Sequence, residues 1–254
     1  MRAEARLVAE PDGRGGTRLS TVYGEPPLLP RRTNPHHRAA EVHFVGGAAG
    51  PLGGDDLRVA ITVRTGAHLV VRTIAAALAQ PSDPRMPSRL DVVATVEAGA
   101  ALDWLPEPTI AAIGCDHHQR SIVDLADGAR LTWREEIVAG RHAEPAGDLR
   151  TSTAVRCAGR TILRHDLGIG PHAQGWDGPA IAGAARAVGT LLLVGPGAPT
   201  KPAVSGTAAL MPLARGPAAL ITAAAQDARA LRTALTATTW ADDPDAELDI
   251  CRES

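Results

Sequence analysis

Apolar and polar residues alternate along much of this chain. Leu57, Val59, Ile61 and Val63 take turns with Arg58, Ala60, Thr62 and Arg64, the mark of a half-buried strand. The same period of two predicts strands over 17–23, 41–45, 90–96, 121–125, 129–138, 150–156 and 161–167. Turn signals separate them: Thr65-Gly66, Ala98-Gly99, Asp127-Gly128 and Ala158-Gly159. Many short strands at roughly 8–12-residue spacing predict an all-β-dominated fold, a sandwich, barrel or stack of β-layers. A long strand-helix alternation is missing, which argues against a doubly wound parallel fold. Two helices are expected, a short alanine-rich one over 180–188 and a stronger one over 227–240. In the second, Asp227 can cap, and Leu231 and Leu235 share a face. Segments 31–40 and 195–205 read as loops, and the acidic tail after about residue 242 as frayed. No internal repeat stands out, and residues 1–254 read as a single domain.

Composition narrows the function classes. The net charge of −2 brings no bulk attraction to nucleic acid. Aromatic residues make up only 2% of the chain, too few for a base-stacking surface. Lys201 is the sole lysine. Three widely spaced cysteines, Cys115, Cys157 and Cys251, form no CxxC pair and fit a reducing, cytoplasmic context. The first residues carry no apolar run of signal-peptide length. The longest apolar candidate for a membrane span, 180–194, contains Arg186, Gly183 and Gly189. Phosphate-loop, dinucleotide-binding and GxSxG patterns are all missing.

The most distinctive stretch is Trp104-Leu105-Pro106-Glu107-Pro108-Thr109-Ile110. Two prolines one residue apart forbid a regular helix or an interior strand there. Each also drives its predecessor into an extended conformation. The expected result is a stiff extended link between two strand-like runs.

That link, with several glycine turns, resembles the UreD/UreH family of urease accessory proteins. The resemblance rests on Gly16-Thr17-Arg18-Leu19, on Gly53-Gly54-Asp55-Asp56-Leu57, on Gly66-Ala67, on the Trp104–Ile110 run, and on Gln119, Gly128-Ala129, Trp133 and Gly140-Arg141. It covers roughly residues 15–170. The chain departs from the family pattern at 72–80, where a lysine and a tyrosine are missing, and at 142–148, where a glycine-arginine motif is stretched. It is similar to a divergent, actinobacterial-type member. The resemblance implies a flat stack of strands, β-helix-like or sandwich-like, with two helices. It further implies a non-enzymatic scaffold for nickel insertion into the urease apoprotein. The implied partners are a helical UreF-type protein and a UreG-type GTPase, with neither nucleic acid nor membrane. Nickel is the implied transient cargo, passing through the interior with no tightly bound cofactor.

Several residues have the chemistry to touch such a cargo. Cys115-Asp116-His117-His118 offers ligands for borderline metals. In a strand only Cys115 and His117 can share a face; the alternative is a set of solvated polar side chains. His36-His37 lie in a proline-flanked segment where exposure explains them without a metal. His43 alternates with Val42 and Phe44 and reads as solvated. Asp103, Glu107, Glu135, Glu136 and Asp148 could line a polar passage with oxygen ligands; each is equally explained by exposure or an arginine partner. Asp55-Asp56 after two glycines reads as turn chemistry. Two other functions stay open: a metal-dependent enzyme using Cys115, His117 and a distant His142 or His165, and a plain protein-binding β module. A scaffold presenting broad faces to partners is expected to expose apolar patches and to be poorly soluble alone.

Overall fold

The structure is a computed structural model and describes residues 1–33 and 38–237. The chain enters through β1 (Arg2–Pro11), β2 (Thr17–Gly24), β3 (Leu28–Thr33) and β4 (Ala40–Gly46). It continues through β5 (Asp56–Val63), β6 (His68–Thr73), β7 (Ala77–Ala79), β8 (Ser88–Val96), β9 (Ala101–Leu105) and β10 (Thr109–Ala111). Then come β11 (Asp116–Leu125), β12 (Arg130–Ala139), β13 (Asp148–Cys157) and β14 (Arg160–Ile169). The last elements are β15 (Ala187–Val194), β16 (Ala203–Ser205), β17 (Ala208–Pro212), β18 (Ala218–Ala225) and α1 (Ala228–Leu235).

These strands form two layers. One sheet runs in the order β14-β13-β11-β8-β5-β1-β2, and the other β16-β17-β18-β15-β12-β9-β6-β4-β3. From β4 to β13 the chain crosses repeatedly between them, and the strands within each sheet are parallel. This is a flattened solenoid. Ladder partners reveal the coil length: Val59 pairs with Val92, Val92 with Ser121, and Ser121 with Thr153. A repeat is therefore present that the sequence pattern did not reveal. Its crossing turns stack on one another and carry Gly66, Gly99 and Gly128 with positive φ, a conformation glycine adopts at no steric cost.

Period two is the reason for the layers. Leu57, Val59, Ile61 and Val63 face the opposite sheet with Val92, Ala94 and Val96, and from the other side Leu69, Val71, Leu102, Trp104 and Trp133 meet them. Trp104 and Trp133 are lateral ladder partners and stack at 5.2 Å. The eight strands expected from alternation all form. The chain also forms strands where none were expected, including β1, β3 and β15.

Several expectations fail. Residues 180–186 make turns, and 187–194 are a strand buried on both faces. Apolar residues on both sides of a central strand leave no alternation to read. Within 31–40, residues 31–33 complete β3 and Ala40 opens β4, and within 195–205, residues 203–205 form β16. Among the described residues α1 is the only helix. It is shorter than the expected 227–240, and Asp227 caps it by accepting from the Ala230 N–H at 2.8 Å. His36, His37 and the tail after 242 lie outside the described residues.

Leu231 and Leu235 of α1 are fully buried against the outer face of β15 and β18. Leu231→Ala is expected to cost about 2–5 kcal/mol of folding stability. Urea unfolding followed by circular dichroism measures it, and a loss below half a kcal/mol would show that α1 is not integral to the core.

Candidate functional site: a polar belt between the sheets

The interior is apolar at both ends and polar between them. On β11 the inward side chains run His117, Gln119, Ser121, Val123 and Leu125, and on β13 they run Leu149, Thr151, Thr153 and Val155. From the opposite sheet β12 sends in Trp133, Glu135 and Ile137. One apolar cluster holds Val123, Val155 and Trp133; another holds Cys115, Leu149 and Ile137. The polar residues form a belt between the two.

Glu135 is the centre of that belt. Its Oε1 accepts from Thr153 Oγ1 at 2.7 Å, Ser121 Oγ at 3.1 Å and Trp133 Nε1 at 3.1 Å. A buried carboxylate is tolerated only with such partners. Ser121 and Thr153 are ladder neighbours, so the parallel register brings both hydroxyls to one oxygen. Farther along the belt, His117 Nδ1 lies 2.9 Å from Ser88 Oγ. Burial holds this imidazole down at about 4, with a smaller push from His118. It is neutral at pH 7.

Cys115 and His117 both point inward, as alternation required, yet they enter different surroundings. The Cys115 thiol sits in the apolar cluster and donates to the Asp148 carbonyl at 3.5 Å. Burial first, and Asp148 second, push it up to about 12. It remains a thiol, which is a poor metal ligand. Among the described residues, His, Cys, Asp and Glu form no group of three or more placed to hold a metal ion. Asp116 and His118 face outward and pair at 3.0 Å. His142 is exposed in a turn, His165 lies half-buried opposite Thr153, and His43 is half-buried beside Glu41.

The other carboxylates are engaged outside the belt. Glu136 follows Glu135 on β12 and faces the outer side of its sheet, where α1 lies. Arg232 of α1 binds Glu136 through Nε at 3.2 Å and through Nη2, and reaches Glu107 at 2.8 Å. Burial works against the Arg232 charge, but these two carboxylates outweigh it and raise its pKa. Asp103 meets His68 Nε2 at 2.7 Å. Asp148 accepts from the His172 backbone N–H at 2.7 Å and lies 2.8 Å from its Nδ1.

The proline link is fastened here too. Arg134 donates to the carbonyls of Leu105 and Pro106 at 3.2 and 2.9 Å, and the Glu107 N–H donates to Thr73 Oγ1 at 2.9 Å. β9 ends at Leu105 and β10 begins at Thr109, leaving Pro106, Glu107 and Pro108 as the extended link that the two prolines dictated. Of the glycine turns, Gly53 has no room for a side chain, because a Cβ would lie 2.3 Å from Ser82 Oγ. Asp55 accepts from the Leu52 N–H at 2.9 Å, which is turn chemistry as expected. Arg141, after Gly140, forms a two-point pair with Glu144 at 2.9 and 2.6 Å.

Sequence reasoning singled out Glu135 and His117 but passed over Ser88, Thr151, Thr153 and Arg232. The first three carried a signal: polar residues at inward positions of otherwise apolar alternations. Arg232 carried none, being 96 positions from Glu136.

Comparison with known proteins adds a family. The profile of the UreD urease accessory protein family matches residues 1–245. A urease accessory protein UreD from Parafrankia sp. (strain EAN1pec) is 44% identical over 92% of this chain and 86% of its own length. UreD 3 of Streptomyces griseus is 50% identical over 91% of this chain and 93% of its own length. UreD of Streptomyces coelicolor is 48% identical over 92% and 94%.

Neutral His117 makes stability depend on pH. Its folded pKa lies below the ordinary value of 6.5, so the unfolded chain takes up a proton that the folded chain refuses. The stability it contributes is present above pH 6.5 and is lost as pH falls toward 4. Between pH 7 and pH 5 the loss is expected to be about 2 kcal/mol. Urea unfolding at both pH values, compared with His117→Asn, isolates it; equal pH slopes in the two proteins would contradict a buried neutral imidazole.

Proposed function

The chain belongs to the UreD family of urease accessory proteins, and from that membership we propose that it is a non-enzymatic scaffold for nickel insertion into the urease apoprotein. In this reading it bridges the apoprotein to a UreF-type helical protein and a UreG-type GTPase in the cytoplasm. Nickel is cargo, handed on and not retained. The observation that carries the reading is the belt around Glu135. It lays hydroxyl, amide, imidazole and carboxylate groups through the middle of an otherwise apolar interior.

The chemistry of the belt suits transit better than storage. Carboxylate, hydroxyl and amide oxygens are hard ligands, whereas the softer ligands that hold such a metal firmly are thiolate and imidazole. The thiol of Cys115 stays protonated and His117 is bonded to Ser88. A cation moving past Glu135 meets a negative charge already desolvated and held by neutral donors. Asp103, Glu107 and Glu136 are spent on His68 and Arg232. They are therefore anchors, and Glu135 is the candidate for contact with cargo.

Exposed apolar side chains support a protein that works in a complex. Leu52, Met86 and Ile113 are each at least 44% exposed, on the loops before β5, before β8 and after β10. Together they are candidates for an interaction surface.

Cells carrying the cognate urease operon test the proposal through urease activity and urease nickel content, with and without this gene. Deletion is expected to abolish both, and the intact gene to restore them. Glu135→Gln keeps the shape and the hydrogen-bond acceptor but removes the charge; it is expected to lower nickel loading at least tenfold at equal protein level. Glu136→Gln tests the outer anchor and is expected to affect folding first. Unchanged nickel content on deletion would sink the reading.

A further inference from the structure

The outer face of the seven-stranded sheet carries an open cavity of about 590 Å³. Parallel register builds it. Arg89 of β8, His118 of β11 and Arg150 of β13 are successive ladder partners, so they form one row across the sheet. Neighbouring strands are about 4.8 Å apart, which sets Arg89 and Arg150 about 10 Å apart with the imidazole between. Arg120 lies one step along the same face, in a row with Asp91, Ser152 and Asp166.

The first row holds two guanidinium groups, Arg89 and Arg150, and beyond Arg89 it continues into Asp56, which is paired with Arg2. His118 has Asp116 beside it. Arg89, Arg120 and Arg150 make no ion pair with any carboxylate among the described residues, although other arginines of this sheet do, such as Arg2 with Asp56 and Arg18 with Glu10. Like charges on adjacent strands repel. Asp91 and Asp166 line the same concavity, yet neither forms an ion pair with these three guanidinium groups. Arginine offers paired N–H donors that match planar carboxylate and tetrahedral phosphate oxygens. Asp91 and Asp166 place negative charge in the second row, which repels an anion there and favours the Arg89–Arg150 end.

We propose that this cavity binds a small oxyanion, a phosphate or a carboxylate, between Arg89 and Arg150. The arginines of the site lie on the face of β8, β11 and β13 opposite to the one that meets Glu135.

The test is the melting temperature of the full chain, titrated with sodium phosphate and separately with sodium acetate, against sodium chloride at matched ionic strength. A saturable rise with at least one oxyanion is expected, and the arm that saturates lower names the preferred class. In R89Q/R150Q the half-saturating concentration is expected to rise at least tenfold. R58Q, on the same sheet face but outside the cavity, is expected to bind as the parent does. Circular dichroism and the melt in chloride establish that each variant folds. Should the double variant fail to fold, R120Q with single R150Q takes its place, each expected to weaken binding severalfold. A rise no greater than that in chloride overturns the site. So does equal weakening by R58Q, which would reveal diffuse surface charge.

Discussion

A carboxylate closed between two sheets is the constraint from which much of this structure follows. Glu135 cannot keep its charge there without donors, and the donors come from both layers: Trp133 from its own strand, Ser121 and Thr153 from the sheet opposite. All three meet it only if β11 and β13 hold their parallel register and β12 lies over them unshifted. A slip of one residue turns every side chain of a strand to the other face. Such a slip in β12 would carry Glu135 out and bring Arg134 and Glu136 in. The adjacent carboxylates are thus satisfied in opposite ways. Glu135 is held by neutral donors inside, and Glu136 by a guanidinium outside. Together they lock the register of β12 from both faces.

The same arrangement keeps the interior free of competing charge. Burial holds His117 as a neutral imidazole and Cys115 as a thiol, so neither adds a charge to the interior. Glu135 is left facing hydroxyl, amide and indole groups. For a scaffold proposed to pass a divalent cation onward, a tight site would be a trap. A lone desolvated carboxylate among weak oxygen donors attracts a cation without supplying a full coordination shell.

Local pattern carried the strands and the turns, because alternation and glycine are local signals. Residues 57–63 and 90–96 declared themselves, and so did the turns at Gly66, Gly99 and Gly128. What alternation cannot express is lateral order. That Val59 pairs with Val92 and Val92 with Ser121 is a relation across about thirty positions, and the residues at matching places differ too much for a repeat to show. Strand β15 was obscured for the opposite reason, being apolar on both faces. The site divided in the same way. Glu135 was legible through its place beside Trp133 on one strand face. Its donors were visible only as polar interruptions at inward positions, and the Arg232 clamp depends on tertiary placement of α1 alone.

The residues that identified the family turn out to be fasteners for the belt. Pro106, Glu107 and Pro108 leave a segment without sheet pairing of its own, and carbonyls there need partners. Arg134 supplies them at Leu105 and Pro106, Thr73 binds the Glu107 N–H, and Arg232 ties the Glu107 side chain to α1. Just before the link, Trp104 stacks on Trp133. The Trp133 indole N–H in turn donates to Glu135. A run of contacts therefore leads from the proline link through two stacked indoles to the buried carboxylate. Loosening the link would free Trp104, then the ring against which Trp133 is held, and then one of the three donors on Glu135. The contacts of residues 104–109 thus help to hold one of the three donors on Glu135 in place.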